Sequence, residues 1–153
     1  MSVRVGIISD THGLLRPEVL QNLRTCSVIL HAGDVDSPDI LDELRVLGAI
    51  YVVRGNNDFG HWARNLSRTL VFCIEGVRFF MVHDRRDAGR LSTDADVVVF
   101  GHTHQYYQET VDGKLWLNPG SCGYSRWGTP VTMAIMEIDK GDYTVKQIIL
   151  QNR

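Results

Sequence analysis

No apolar run in this sequence approaches the roughly 20 residues that a membrane-crossing helix needs. The start, Met1-Ser2-Val3-Arg4, enters strand-like sequence directly and lacks the long apolar segment of a secretory leader, so a cytoplasmic protein is expected. Cysteine is scarce. Cys26, Cys73 and Cys122 are odd in number, widely spaced and outside any C-x-x-C pair, which excludes a secreted disulfide framework and fits thiols in a reducing compartment. An excess of basic residues is also missing. Sixteen Lys and Arg stand against 18 Asp and Glu, a formal net charge of -2, which argues against a protein that grips a nucleic-acid backbone. There is no internal repeat, low-complexity segment or linker. With 153 residues, 44% of them hydrophobic, the chain suits one domain over residues 1–153 with a substantial core.

What is present is a recurring pattern, clearest at Val97-Val98-Val99-Phe100-Gly101-His102-Thr103-His104. Four bulky apolar residues read as a buried strand. A glycine ends it, and two histidines leave the strand end together. Imidazole is the commonest protein ligand for transition metals, but one H-x-H pair is weak evidence by itself.

The same pattern appears along the chain. Val3 to Ser9 is a strand ending in Asp10-Thr11-His12-Gly13. Arg16 to Arg24 reads as a helix with Pro17 in its first turn and Val19, Leu20 and Leu23 on one face. Val28 to Leu30 is a strand running into His31-Ala32-Gly33-Asp34. Ser37-Pro38 opens a second helix, lined by Ile40, Leu41, Leu44 and Leu47, that ends at Gly48. Ala49 to Val53 is a third strand, ending in Arg54-Gly55-Asn56-Asn57-Asp58. Hairpins follow: Thr69 to Ile74 with Val77 to Val82 around Glu75-Gly76, Tyr106 to Val111 with Lys114 to Leu117 around Asp112-Gly113, and Val131 to Ile138 with Tyr143 to Leu150 around Lys140-Gly141-Asp142. The second strand of the first hairpin ends in His83-Asp84. The β-α-β-α-β beginning implies a parallel sheet with right-handed crossovers. Together with the hairpins it predicts an α/β layered domain of two packed sheets with helices outside.

Ligands in open α/β sheets bind beyond the carboxyl ends of strands. If these strands run roughly parallel, Asp10, His12, Asp34, Asn56, His83, His102 and His104 share one rim. Seven nitrogen and oxygen donors without thiolate are too many for one tetrahedral zinc and suit two adjacent five- or six-coordinate cations. Such cations, about 3.5–4 Å apart, need a shared anionic ligand between them. A hydroxide held there is a nucleophile near neutral pH, so the set points to phosphoryl hydrolysis without a protein nucleophile.

The ordered motifs D-x-H, G-D, G-N-x-D, H and G-H-x-H resemble those of the calcineurin-like metallophosphoesterases. The short chain and Asn118-Pro119-Gly120-Ser121 resemble the YfcE-type phosphodiesterase branch, and the resemblance runs from residue 5 to about 126. It implies two mixed β-sheets packed as a sandwich with helices on the outside. It also implies a first cation on Asp10, His12 and His104, a second on Asn56, His83 and His102, and Asp34 bridging them. The implied cofactor is two divalent transition-metal ions, Mn first, with Ni, Fe, Zn or Co as alternatives. The implied substrate is a small phosphoester, most of all a phosphodiester.

Asn57 and Asp58 occupy the catalytic positions of the G-N-x-D motif, and here the sequence departs from the family. Many members carry histidine at Asn57, a residue that can protonate a leaving group; an asparagine cannot at pH 7. Branch members often lack it too. Slow turnover of poor leaving groups and preserved activity on activated aryl esters are expected, with Asp58 positioning the loop. Other residues receive lesser expectations: His61 as a substitute acid, Asp84 as a partner of His83 or a solvated carboxylate, His31 as structural, Arg126 as a phosphate contact, Cys122 near the site but not a ligand. Alternatives in function are a non-catalytic scaffold resembling the retromer subunit of the family and a phosphomonoesterase.

Overall fold

The computed structural model describes residues 2–125 and 128–150. Ten strands form two mixed five-stranded sheets. The first contains β1 (Val3–Ile8), β2 (Val28–His31), β3 (Ala49–Val52), β9 (Val131–Asp139) and β10 (Asp142–Leu150), in the order β10-β9-β1-β2-β3. The second contains β4 (Thr69–Ile74), β5 (Val77–Val82), β6 (Val97–Val99), β7 (Tyr106–Val111) and β8 (Lys114–Pro119), in the order β4-β5-β6-β8-β7. In each sheet three adjacent strands are parallel: β1, β2 and β3 in one, β5, β6 and β8 in the other. Antiparallel hairpin strands border them.

The faces follow from two-residue periodicity. Val5, Ile7, Leu30 and Ala134 of the first sheet meet Phe79, Met81, Val97, Val99 and Leu117 of the second in the central core. The opposite face of the first sheet, with Ile8, Ile29, Met133 and Ile135, is covered by α1 (Pro17–Leu23) and α2 (Pro38–Leu47) through Val19, Leu23, Ile40, Leu41 and Leu44. Helix α2 begins as its sequence requires. The Ser37 hydroxyl accepts a hydrogen bond from the Asp39 amide at 3.3 Å, and Pro38 sits where a missing N–H costs nothing.

Both these helices lie outside, on the first sheet. The second sheet has no such cover, because hairpins replace crossover helices there and the β5–β6 connection contains only the 3-10 turns Arg85–Asp87 and Arg90–Ser92. Its outer face packs Phe80, Val82, Val98 and Phe100 instead. The Arg85 guanidinium lies over the rings of Phe100, Tyr107 and Trp116 at 5.0, 5.1 and 4.9 Å. Such cation–π contacts let an exposed charged side chain shield apolar rings. Among the described residues no helix is long and apolar enough to cross a membrane. The expectation for Arg126 lies outside the described residues.

Candidate metal centre

The carboxyl ends of the parallel strands of both sheets open onto one rim. Beyond β1 stand Asp10 and His12, beyond β2 Asp34, beyond β3 Asn56, beyond β5 His83, and beyond β6 His102 and His104. The chain turns sharply at each end. Asp10, His12, Asp34, His102 and His104 all have positive φ, between 49° and 74°, a region that L-residues occupy at a cost of about 1–2 kcal/mol each. Hydrogen bonds hold these turns. The amides of Asp10 and His12 donate to the carbonyls of Gly33 and Asp34, each at 3.0 Å, which stitches the β1 loop to the β2 loop. Gly101 packs closely: a Cβ there would stand 2.1 Å from Ser9 Oγ and 2.8 Å from Asp10 Oδ2.

Five of the seven expected ligands converge tightly. Asp10, His12 and His104 can present one donor each within 4.8 Å of one another, as can Asp10, Asp34 and His83. Around Asp10 Oδ1 stand the Nε2 atoms of His104 at 3.4 Å and of His12 and His83 at 3.8 Å. This buried oxygen has no hydrogen-bond partner among the described residues. Asp34 Oδ2 lies 3.2 Å from His83 Nε2 and 3.6 Å from His12 Nε2. Both carboxylates therefore reach between the two expected ligand sets, whereas the resemblance gave that place to Asp34 alone. Asn56 and His102 form the outer flank, with His102 Nδ1 3.2 Å from Asn56 Oδ1 and its ring 5.2 Å from that of His83.

Charge is concentrated here. Burial pushes the Asp10 carboxyl up to about 6, against the opposing influence of His83 and Ser9. Burial also opposes ionisation of Asp34, but hydrogen bonding and charge from His83, with the Asn57 amide, hold it down to about 2. For His83, burial disfavours the imidazolium, yet Asp34 and Asp10 outweigh it and raise the group to about 9. A buried carboxylate oxygen facing three imidazole nitrogens outside hydrogen-bonding geometry is a donor set suited to a cation. Nitrogen and oxygen donors without thiolate suit divalent transition metals.

Several residues that the motifs do not single out orient this set. Asp36 Oδ2 lies 2.9 Å from His12 Nδ1 and accepts its proton, turning Nε2 toward the rim. The Ala32 carbonyl does the same for His83 Nδ1 at 2.7 Å. Ser9 donates to Asp10 Oδ2 at 2.7 Å. The turn after β8 joins in: Asn118 Nδ2 donates to Gly101 O and Thr103 Oγ1, each at 3.0 Å, and Ser121 Oγ donates to Asp10 O at 3.1 Å. The N-P-G-S run marked this turn in the sequence, but nothing local could show that it reaches across to Asp10.

The lesser expectations separate. His31 is buried and structural: its Nδ1 accepts from the Gly33 amide at 3.1 Å, so Nε2 carries the proton toward Thr11 Oγ1 at 3.0 Å, and burial lowers its pKa to about 3. Asn57 turns both donors to Asp34, its amide to Oδ1 at 2.8 Å and its Nδ2 to Oδ2 at 3.3 Å. Asp58 is buried, and its oxygens accept from the amides of Asp34, Gly55 and Asp36 at 3.1, 2.8 and 2.9 Å. Its three amide partners tie the loop after β3 to the loop after β2, and it does not line the cleft. Asp84 faces His102 at 3.7 Å, not His83, and Arg86 grips it at 2.6 Å. His61 is exposed at the start of α3 (His61–Arg64) and is not among the residues that line the cleft beside the centre. Cys122 is fully buried, with its thiol pushed up to about 12 by burial, and stands outside both groups of converging donors. The cleft itself, about 310 Å³, borders Asn56, His83 and His102.

Comparison with known proteins identifies the family. A probable metallophosphoesterase of Methanothermobacter thermautotrophicus is 38% identical over 149 residues, covering 88% of this chain and 86% of that protein. A phosphodiesterase of Methanocaldococcus jannaschii is 29% identical over 170 residues, covering 97% of this chain and all of that one. The solved structure of wild-type Vps29 from Entamoeba histolytica, complexed with Zn2+, has a TM-score of 0.75 at 26% identity and covers 95% of this chain and 98% of that one. Residues 3–141 match the calcineurin-like phosphoesterase superfamily domain, and with that match and the 38% identical relative the chain belongs to that superfamily.

Proposed function

We propose that the protein hydrolyses phosphoesters, phosphodiesters above all, with two divalent cations at the shared rim. The observation that carries this reading is the unpartnered Asp10 Oδ1, buried and surrounded by the Nε2 atoms of His12, His83 and His104. Asp10, His12 and His104 would hold one cation, Asn56, His83 and His102 the other, with Asp34 between them. The donor chemistry favours Mn and is compatible with Zn, Ni, Fe or Co. Such a pair, when bound, supplies activated water and neutralises charge growing on the phosphoryl oxygens.

The chain's own residues hold that arrangement still. The Nδ1–H groups of His12 and His83 donate to Asp36 and the Ala32 carbonyl, so each ring offers Nε2 in a fixed orientation. Asn57 anchors both oxygens of Asp34. It carries no proton to give, so a departing alkoxide would receive its proton from solvent. Activated aryl esters should therefore react well and alkyl esters slowly.

The test is turnover of bis(p-nitrophenyl) phosphate by Mn-loaded protein, with p-nitrophenyl phosphate as the monoester comparison. The diester is expected to react faster, and Asp34→Ala or His83→Ala to lose at least about 10³-fold in kcat. Absence of turnover with every one of the five metals would favour the scaffold reading that resembles the retromer subunit. The expected setting is a small phosphoester substrate in the cytoplasm.

A further inference from the structure

The cleft beside Asn56, His83 and His102 carries two arginines that the hydrolysis described above does not use, Arg54 and Arg68. They lie on adjacent chain segments, because the Arg54 amide donates to the Ser67 carbonyl at 2.8 Å. Arg54 Nε donates to the Asp58 carbonyl at 3.0 Å, which orients its guanidinium, and among the described residues its terminal N–H groups have no other acceptor. Arg68 is exposed and, among the described residues, has neither a side-chain hydrogen bond nor an ion pair. The cleft is also bordered by Asp84 and Asp87. Asp84 is matched by Arg86 at 2.6 Å, while Asp87 adds negative charge to the lining. Asp87 disfavours a continuous polyanion along the cleft, while Arg54 and Arg68 supply guanidinium groups for a compact anion. Planar guanidinium forks recognise phosphate oxygens well. At about 310 Å³ the cleft is at the small end of ligand sites, roughly 300–1,000 Å³.

We propose that Arg54 and Arg68 select small phosphodiesters in which one ester arm carries a second phosphate group. This rests on the hydrolase reading and narrows its substrate class. The reaction remains a hydrolysis: the water oxygen bonds to phosphorus, the ester P–O bond breaks, and a proton from water ends on the departing oxygen.

The test compares the p-nitrophenyl ester of thymidine 5′-phosphate with the same ester carrying a 3′-phosphate, with the full Mn-loaded chain and chromatography of all products. Wild type is expected to show kcat/KM about tenfold higher for the 3′-phosphorylated ester, a difference of about 1.4 kcal/mol. In Arg68→Ala that ratio falls toward one through a raised KM, and in Arg68→Lys it is partly kept. Circular dichroism verifies that the variants are folded. Calorimetric binding of thymidine 3′,5′-bisphosphate against thymidine 5′-monophosphate reads the same selectivity without turnover, about tenfold in wild type and lost in Arg68→Ala. Equal affinities in wild type, or selectivity unchanged by Arg68→Ala, would overturn the inference and leave the hydrolase reading intact. Turnover of neither ester, with the binding selectivity present, would overturn the hydrolase reading instead.

Discussion

At the scale of single residues, the centre depends on side chains that hold other side chains. Asp58 binds three backbone amides from inside the protein and so ties the loop after β3 to the loop after β2. Asp58→Ala leaves those donors without an acceptor in a dry site, and each orphaned buried group costs about 1–3 kcal/mol before relaxation. A fall in stability of roughly 2–4 kcal/mol is expected from urea titration, and Asp58→Asn, which keeps acceptor oxygen, should lose less. Asp36 is a different case, because it is exposed. Its contribution is the orientation of His12 through Nδ1. Asp36→Ala should therefore weaken Mn binding by about 10–100-fold while leaving the melting temperature of cation-free protein nearly unchanged. A titration that finds wild-type affinity would remove Asp36 from the centre.

At the scale of elements, strand ends and turns are shaped for different purposes. Nine non-glycine residues among those described have positive φ. Six of them, Asp10, His12, Asp34, Asp36, His102 and His104, lie at the rim, and Glu75, Asp112 and Lys140 lie in hairpin turns. The hairpin residues satisfy the twist of two-residue turns. The rim residues turn donor atoms back over the strand ends, and their strain is held by cross-loop hydrogen bonds. Two glycine substitutions separate these purposes. Gly101→Ala would drive a methyl into Ser9 Oγ and Asp10 Oδ2, so a loss of about 1–3 kcal/mol together with weakened Mn binding is expected. Gly113→Ala meets open space but keeps φ at 79°, so about 1 kcal/mol of stability should go with cation affinity intact. Thermal melts with and without Mn distinguish the two.

At the scale of the whole molecule, the rim is where the two sheets meet chemically as well as by packing. Asp10 and Asp34 come from one sheet, His83, His102 and His104 from the other, so cations there would crosslink the sandwich. A ligand that binds only the folded state stabilises it by about 2.7 kcal/mol at a hundred times its Kd. For a chain of this size that is a rise of roughly 5–10 °C in melting temperature on Mn loading, reversed by EDTA. No shift with any transition metal would remove the crosslink. This cross-sheet origin also explains what was legible beforehand. Ser37-Pro38, Glu75-Gly76 and Asp112-Gly113 marked their elements through local backbone chemistry, and the polar residues after apolar runs marked the rim. The spacing of G-N-x-D does not show where Asn57 and Asp58 close, because their partners, Asp34 and the amides of Asp34 and Asp36, come from the loop after β2. Asp36 carried no local signal, and the Asn118-to-Ser121 run marked a turn but not its reach, since the partners of Asp36, Asn118 and Ser121 lie 24, 17 and 111 residues away.

The amino-acid order by itself determined which side chains leave strand ends and that those side chains are imidazoles, carboxylates and an amide without thiolate. That much is local, set by hydrophobic periodicity and turn chemistry within a few residues. Only the tertiary structure decided that three parallel strands from each sheet point their carboxyl ends at one rim, and that Asp10 stands between both ligand sets. It also decided that helices cover the first sheet while an arginine shields aromatic rings on the second. Those outcomes depend on how two sheets pack through side chains far apart in the chain, which no short window of residues can encode.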